Sequence, residues 1–237
     1  MSKSEVVLGI SPARGGSKCI PRKNIIDLGG IPLIAHTIAQ AHKSRRLTHY
    51  VVNSDDAEIR SVAESYGAET IDRPEAYSHD QILQEVDLLL RWTVEKYEER
   101  HNINVDIIVL LYPTAPLRDV ESIDRAIGMV LEDGYDSCLS LYSDMRYLWK
   151  VNDDNTVEPT NYDPNKRMPR QKENWNQWAE NKAVYVMRRD VLFKDGRIGD
   201  KCGFVEMDKW RSIDIDGYDD LYLARALLNS EAISKPL

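Results

Sequence analysis

Short runs of β-branched and aliphatic residues alternate along this chain with segments whose apolar residues recur at helical spacing. The first pair, VVLGI (6–10) and PLIAHTIAQAHKS (32–44), predicts a strand followed by a helix. Uninterrupted apolar runs are typical of strands buried on both faces, which favours parallel pairing. The alternation therefore predicts an α/β fold, with a mainly parallel sheet and helices on both faces. Further strands are expected at 49–54, 69–73, 106–112, 136–143 and 183–189, and further helices from Asp55, where Asp55 and Glu58 fit a capping box, near 81–98, over 122–132 and over 219–229.

The alternation breaks between residues 146 and 180, which are polar, contain tryptophans and are rich in turn formers. A length of 237 residues is compatible with one or two domains, and no Pro/Gly/Ser-rich linker offers a boundary. We therefore expect a single domain over 1–237, with an excursion at 146–180.

The charge and composition exclude several classes of protein. A net charge of −8 without a broad basic face argues against nucleic-acid binding. The apolar runs are too short to span a bilayer, and the start lacks the apolar segment of a secretory signal, so we expect no membrane partner and a cytoplasmic location. The three cysteines are far apart and lack the spacing of a zinc site or a disulfide framework.

The loop SPARGGSKCIPRKN (11–24) concentrates cations in an acidic chain. It follows the first predicted strand, where backbone N–H groups and a helix start hold phosphates in many α/β proteins. Gly15 and Gly16 would let the backbone approach an anion, while Arg14, Lys18 and Lys23 would supply positive charge. The loop fits neither GxGxxG nor GxxxxGK[ST], so another kind of nucleotide site is needed. On charge alone, a solvated basic loop is the alternative.

The segment SIDID (212–216) places Asp214 and Asp216 two residues apart. On an extended strand both carboxylates project from the same face, and hard oxygen ligands are what Mg²⁺ prefers. A D-x-D pattern alone is also found at surface strand ends and in metal-dependent glycosyltransferases. Their D-x-D usually lies near mid-chain, whereas this one lies about twenty residues from the end.

The pattern PARGGSK…P-x-KN after an amino-terminal strand resembles the signature of the acylneuraminate cytidylyltransferases, the CMP-sialic acid synthetases. The resemblance implies a Rossmann-like fold of the nucleotide-diphospho-sugar transferase type and a D-x-D that carries the metal. It also implies that the loop binds CTP; the residues concerned are Arg14, Gly15, Gly16, Ser17, Lys18, Lys23 and Asn24. Cys19 stands where relatives usually carry glycine, which would strain the loop if that position needs a positive φ.

Three further segments resemble the same family. ETIDRPEAYSHD (69–80) resembles its R-P…D segment, whose arginine lies near the cytosine; a salt bridge that steadies the loop is the alternative role. LYPTAPLR (111–118) resembles QPTSPLR, with a tyrosine in place of the sugar-binding glutamine. NKRMPRQ…ENK (165–182) resembles NPxKRxRRQ…ENG, which reaches the neighbouring subunit; a solvated charged loop is the alternative. The resemblance implies that Arg73 and Asp80 bind the nucleotide. It implies that the sugar is bound by Tyr112, Thr114, Arg167 and Gln171. The catalytic residues that it implies are Arg14, Lys18, Lys23 and Arg170.

Two positions in the last segment depart from the family pattern: Pro169 interrupts the arginine run and Lys182 replaces the glycine. The resemblance implies a homodimeric, Mg²⁺-dependent cytidylyltransferase that joins CTP to an acidic 2-keto sugar, giving a CMP-sugar and pyrophosphate. No residue identifies itself as the general base; a metal-bound water or Asp216 could serve. The alternatives are a glycosyltransferase and a non-catalytic nucleotide-binding module.

Overall fold

A seven-stranded sheet forms the centre of the protein, which we describe from a computed structural model. The structure describes residues 5–74, 77, 84–166, 175–194 and 196–230. The strand order is β11-β7-β10-β6-β1-β4-β5, and β10 alone runs antiparallel to its neighbours within this sheet. The prediction of a mainly parallel sheet is therefore confirmed. The strands of this sheet are β1 Val7–Pro12, β4 His49–Ser54, β5 Glu69–Asp72, β6 Ile107–Leu110, β7 Ser137–Ser143, β10 Trp178–Arg188 and β11 Cys202–Glu206.

Helices cover both faces of the sheet because successive strand residues point in opposite directions. In β1, Val7 packs in one apolar cluster with helix α4, whereas Leu8 packs in another with helix α3. Residues Ile107 and Ile108 of β6 divide between the same two clusters. The uninterrupted apolar runs of the sequence thus serve two cores. The helices are α1 Leu33–Lys43, α2 Ala57–Ser65, α3 Gln84–His101, α4 Val120–Leu131, α5 Arg189–Lys194 and α6 Tyr218–Leu228.

Helix α2 begins one residue later than predicted. Asp56, and not Asp55, is its N-cap: the Asp56 carboxylate accepts hydrogen bonds from the backbone N–H groups of Glu58 and Ile59. The Asp55 carboxylate instead accepts a hydrogen bond of 2.9 Å from the Gly15 N–H. The capping-box prediction at Asp55 was wrong because the neighbouring loop uses that side chain.

The polar excursion contains a short hairpin, formed by β8 Trp149–Val151 and β9 Val157–Pro159. A second two-stranded pair, β2 Asp27–Leu28 and β3 Ile31–Pro32, lies before α1. Residues 212–216 form a loop, not the extended strand on which the same-face argument for Asp214 and Asp216 was based. That the whole of 1–237 folds as one domain stays a prediction.

Candidate active site

The loops that follow β1, β4 and β6 meet at one edge of the sheet, together with the loop 212–216. The Gly15 N–H donates to the Asp55 carboxylate at 2.9 Å, which joins the first two loops. The Ile215 N–H donates to the Thr114 carbonyl at 2.7 Å, which joins the loop after β6 to the aspartate loop. Parallel strands bring their carboxyl ends together, and ligands bind there in open α/β sheets.

The glycine-bearing loop fits closely against the start of α2. A Cβ on Gly15 would lie 2.7 Å from a carboxylate oxygen of Asp56, so no larger residue fits there without displacing the helix cap. A Cβ on Gly16 would meet no atom within 4 Å. The Asp56 side chain therefore leaves room only for glycine at position 15. Gly16, by contrast, is exposed. The Ser17 N–H folds back to the Gly15 carbonyl at 3.2 Å.

Asn24 lies inside this loop and is 5% exposed. Its amide donates a 2.9 Å hydrogen bond to the carbonyl of Arg14, so it ties the start of the basic loop to a 3-10 helix at Lys23–Ile25. This contact holds Arg14 in place. The predicted contact between Asn24 and the nucleotide stays a prediction.

The cations of the loop are used in different ways. Arg22 has a φ of 57° and forms ion pairs with Asp56 and Glu58, which commits its guanidinium to the start of α2. Cys19 is exposed and lies outside the left-handed region, so a glycine at position 19 is not needed for backbone reasons. Lys18 is exposed.

Lys23 connects the amino-terminal loop to the aspartate loop across almost the whole sequence. Its ammonium donates to the Ile215 carbonyl at 2.7 Å and lies 3.5 Å from a carboxylate oxygen of Asp216. The Lys23 side chain is 14% exposed, whereas that of Asp216 is 68% exposed. The phosphate-binding and metal-binding candidates therefore share one surface.

Arg73 is buried at the end of β5. Its Nε donates to the Asn53 side chain at 2.7 Å, and Asn53 in turn donates to Thr93. Burial lowers the pKa of Arg73; the charge of Asp55 raises it and that of Arg14 lowers it further. These three side chains are therefore close enough to interact electrostatically. The neighbourhood agrees with either predicted role of Arg73, the nucleotide contact or the support of the loop.

Tyr112 occupies the position of the predicted sugar contact and points toward β10. Burial raises the pKa of its phenol, and the phenol oxygen lies 3.4 Å from Nη1 of Arg197. Arg197 also forms a 2.6 Å ion pair with Asp87 of α3. Arg197 and Asp87 were missed by the sequence analysis because they lie far from any recognised motif.

Arg118 is 1% exposed and holds the loop after β6 in shape. Its guanidinium donates to Gln40 and Thr37 of α1 and to the carbonyls of Tyr112 and Ala183. Burial lowers its pKa to about 10. The signal in the sequence is a lone arginine in the otherwise apolar stretch PTAPLR, where a charge needs many hydrogen-bond partners.

Strand β10 carries a bulge beside the aspartate loop. Its register against β7 shifts between Glu180 and Tyr185. Asn181, buried within the bulge, accepts a hydrogen bond from Ser140 of β7 and donates to Ser212 at 2.9 Å. The bulge thereby fixes the start of the aspartate loop, a positioning role that the sequence analysis missed.

Asp214 and Asp216 face the same way although they do not lie on a strand. Between them Ile215 is fully buried, and both carboxylates approach the ammonium of Lys182, at 2.7 Å for Asp214 and 3.6 Å for Asp216. Burial lowers the pKa of Lys182, but the hydrogen bonds to Asp214 and Asp216 and their negative charges raise it by more. The pKa of Lys182 is therefore raised above its ordinary value. The expected convergence of the carboxylates is present, although a loop and not an extended strand produces it.

The donor set fits a magnesium ion that takes further ligands from a substrate. Oδ1 of Asp214 is buried and has no hydrogen-bond partner among the described residues, as expected of an oxygen that awaits a cation. Within the described part of the chain, no group of three or more His, Cys, Asp or Glu side chains could hold a metal. Mg²⁺ is commonly held by one or two carboxylates plus phosphate oxygens, so a pair suffices when CTP is present. The metal assignment stays a prediction.

Four of the predicted site residues lie outside the described residues: Asp80, Arg167, Arg170 and Gln171. Their nucleotide-binding, sugar-binding and catalytic roles stay predictions.

A profile of the cytidylyltransferases matches residues 8–233 of the chain. The chain belongs to the cytidylyltransferase family. The match spans both the basic loop and the aspartate loop, and it disfavours the glycosyltransferase alternative. It confirms the family resemblance stated from the sequence.

Two curated relatives agree with this assignment. The chain is 31% identical over 217 residues to N-acylneuraminate cytidylyltransferase A of Danio rerio, covering 90% of this chain and 49% of the relative. It is 40% identical over 127 residues to pseudaminic acid cytidylyltransferase of Campylobacter jejuni, covering 53% of each. The alignments thus span about half the length of either relative.

The fold resembles the structure of CMP:2-keto-3-deoxy-manno-octonic acid synthetase complexed with CTP. The TM-score is 0.66 at 18% identity, over 94% of this chain and 98% of that one. At this identity the likeness concerns the fold alone, and it agrees with the predicted Rossmann-like sheet. No helix in the described part of the chain is both long and apolar enough to cross a membrane.

Proposed function

We propose that this cytidylyltransferase activates a nonulosonic acid, an acidic 2-keto sugar, with CTP to give a CMP-sugar and pyrophosphate. The family match supports the nucleotide part of the proposal. The names of the N-acylneuraminate and pseudaminic acid relatives support the sugar class.

The observation that carries the proposal is the contact of Lys23 with the aspartate loop. Lys23 lies 2.7 Å from the Ile215 carbonyl and 3.5 Å from Asp216, although 192 residues separate Lys23 from Ile215 along the chain. A triphosphate needs positive charge on one side and a carboxylate-bound metal on the other. This edge of the sheet would supply the positive charge from Lys23 and the carboxylates for the metal within the reach of one nucleotide.

In the proposed reaction, the anomeric hydroxyl oxygen of the sugar bonds to the α-phosphorus of CTP. The bond between that phosphorus and the oxygen bridging to the β-phosphorus breaks, and pyrophosphate leaves with the electron pair. The hydroxyl proton passes to a base, for which Asp216 is the exposed candidate on this surface. Arg14, Lys18 and Lys23 bind the phosphates and stabilise the charge that grows on the leaving group.

Asp214 and Asp216 would hold Mg²⁺, which when bound neutralises phosphate charge and orients the triphosphate. The chain contributes the rigidity of this arrangement. Asn181 anchors the loop through Ser212, and Thr114 holds Ile215 through its carbonyl. Preorganised ligands need no rearrangement as the reaction proceeds.

For the sugar, Tyr112 and the neighbouring Arg197 form a half-buried polar surface beside β10. Arg197 offers a guanidinium, the group best suited to a sugar carboxylate. Arg167, Arg170 and Gln171 would add contacts from a partner subunit if the excursion 146–180 crosses to it. The exposed apolar side chains of its hairpin, Trp149, Val151 and Val157, support a homodimer.

The test is pyrophosphate release from CTP with Mg²⁺ and a panel of sugar acids: N-acetylneuraminic, legionaminic, pseudaminic and 2-keto-3-deoxy-manno-octonic acids. We expect release with a nine-carbon acid and CTP, and much less with UTP. Binding of CTP without release for any acid would favour the non-catalytic module and overturn the proposal.

A cytoplasmic location, and the absence of nucleic-acid and membrane partners, stay predictions. Fractionation of cells that express the protein would test the first.

A further inference from the structure

Lys182 lies in a backbone conformation that side chains rarely adopt. Its φ is 56°, in the left-handed region, inside the bulge of β10. The conformation is imposed from both sides: Asn181 is tied to Ser140 and Ser212, and the Arg118 guanidinium donates to the Ala183 carbonyl. Strain that is held by its surroundings in this way points to a functional position.

The Lys182 side chain ends between the two carboxylates. Its ammonium is 2.7 Å from Oδ2 of Asp214 and 3.6 Å from Oδ2 of Asp216. On the other side of Asp216, the Lys23 ammonium lies 3.5 Å from Oδ1. The acidic pair is thus neutralised by the protein itself.

We propose that Lys182 is an internal cation that occupies the divalent-metal position between Asp214 and Asp216 until a metal displaces it. The inference rests on the proposed function for the identity of the metal site. One ammonium cannot satisfy both carboxylates fully, since Oδ1 of Asp214 has no hydrogen-bond partner among the described residues. A divalent ion carries twice the charge and accepts several oxygen ligands, so it can replace the ammonium.

The lysine can leave without unfolding the strand. Its side chain is 51% exposed, so rotation about the side-chain bonds moves the ammonium into solvent while the bulge stays in place. In the metal-free protein, the Lys182 ammonium offsets the repulsion between the two carboxylates. Metal binding has to overcome the ion pair, which lowers the affinity of the nucleotide-free protein for metal.

The test is the affinity of the nucleotide-free protein for Mn²⁺, measured from the electron paramagnetic resonance signal of free Mn²⁺. Lys182→Met keeps the length of the side chain and the strained backbone but removes the charge. We expect it to bind Mn²⁺ at least about tenfold more tightly than wild type, because no ammonium has to be displaced; tenfold corresponds to about 1.4 kcal/mol.

Three variants are matched to this measurement. Lys182→Arg keeps a cation and should bind Mn²⁺ as weakly as wild type. Lys201→Met removes an exposed lysine elsewhere and should change nothing. Lys182→Met combined with Asp214→Asn should lose the gain, which locates the ion at the aspartates.

Equal Mn²⁺ affinity of Lys182→Met and wild type, with both proteins folded by circular dichroism, would overturn the proposal. So would a gain seen in Lys182→Gly but not in Lys182→Met, because the backbone and not the ammonium would then be responsible. Mn²⁺ binding needs no sugar or turnover, so failure of the pyrophosphate assay would count against the proposed function and leave this inference standing.

Discussion

Asp214 and Asp216 differ in how firmly the protein holds them. The side chain of Asp214 is 17% exposed, against 68% for Asp216. A largely buried carboxylate, one of whose oxygens has no hydrogen-bond partner among the described residues, is the better preorganised ligand. At the scale of single residues, Asp214 therefore carries the metal assignment.

Asp214→Asn should lower turnover with CTP and Mg²⁺ by about 100-fold or more, since the charge stabilisation from a bound metal is worth several kcal/mol. The substitution is isosteric and leaves no cavity, so the thermal midpoint should hardly change. Asp200→Asn, at an exposed aspartate outside the site, is the control and should behave as wild type. Wild-type turnover of Asp214→Asn at saturating CTP would remove the metal assignment.

Arg118→Met should lower the free energy of unfolding by about 3 kcal/mol, because hydrogen bonds to a buried charge are lost and buried acceptors stay unpaired. The acceptors are in α1, in β10 and in the loop after β6. Urea unfolding measures the change, with exposed Arg45→Met as the control. A loss as small as that of Arg45→Met would show that Arg118 does not hold the loop.

Charged residues in motifs could be predicted from the sequence, whereas buried polar ones could not. Lys23 and Asp216 stand out by residue type and spacing. Arg118 and Asn181 act through partners on three different elements, so their roles emerge only when the sheet is assembled. Lys182 could be recognised as a departure from the family pattern, but its contact with Asp214 depends on a bulge that no local pattern indicates.

At the scale of elements, the start of α2 joins helix capping to the basic loop. Asp56 caps the helix and also pairs with Arg22, while Gly15 packs directly against it. The hydrogen bond from Arg22 is the main reason that the pKa of Asp56 lies below its usual range. A carboxyl whose pKa is lowered in the folded state stabilises the fold at pH values above its pKa in the unfolded chain. This contribution is lost as the pH falls through the pKa of the folded state.

Asp56→Asn keeps a capping oxygen but removes the charge, so near pH 7 it should cost at most about 1 kcal/mol for this half-exposed pair. Asp56→Ala also loses the cap and should cost about 1 kcal/mol more. The difference in free energy of unfolding between wild type and Asp56→Asn should disappear as the pH falls below 3.8, the ordinary pKa of an aspartate. Urea unfolding as a function of pH measures it, and a gap that is independent of pH would contradict the assignment.

Regular elements were predictable where their signal was strong. The apolar run at 106–112 and the amphipathic segment at 32–44 became β6 and α1. The 212–216 segment has the alternation of a strand, yet the Ile215 N–H donates to the Thr114 carbonyl without a ladder forming around it. Alternation alone reports which side chains are buried; a strand also needs a partner.

At the scale of the whole molecule, the excursion between β7 and β10 presents apolar surface. Trp149 is 48% exposed, Val151 68% and Val157 56%. Large apolar side chains grouped on a short hairpin are typical of a surface covered by a partner. This grouping supports the predicted dimer, which the sequence derived only from the family resemblance.

Val151→Glu combined with Val157→Glu should convert a dimer into monomers, because two charges would be buried in the interface. Light scattering with size-exclusion chromatography should then give the 27.2 kDa chain mass instead of twice that value. Leu223→Glu, at an exposed apolar residue of α6, is the control and should remain dimeric. A wild-type protein that is already monomeric would contradict the dimer.

The central claim is that the basic loop and the aspartate pair hold one metal-bound triphosphate. The most direct measurement is a crystal structure of the protein with CTP and Mn²⁺, using anomalous scattering to locate the ion. We predict that the ion lies between Asp214 and Asp216, with the triphosphate running from it toward Lys23 and Arg14. Nucleotide bound at any other surface, with no ion at the aspartates, would contradict the claim.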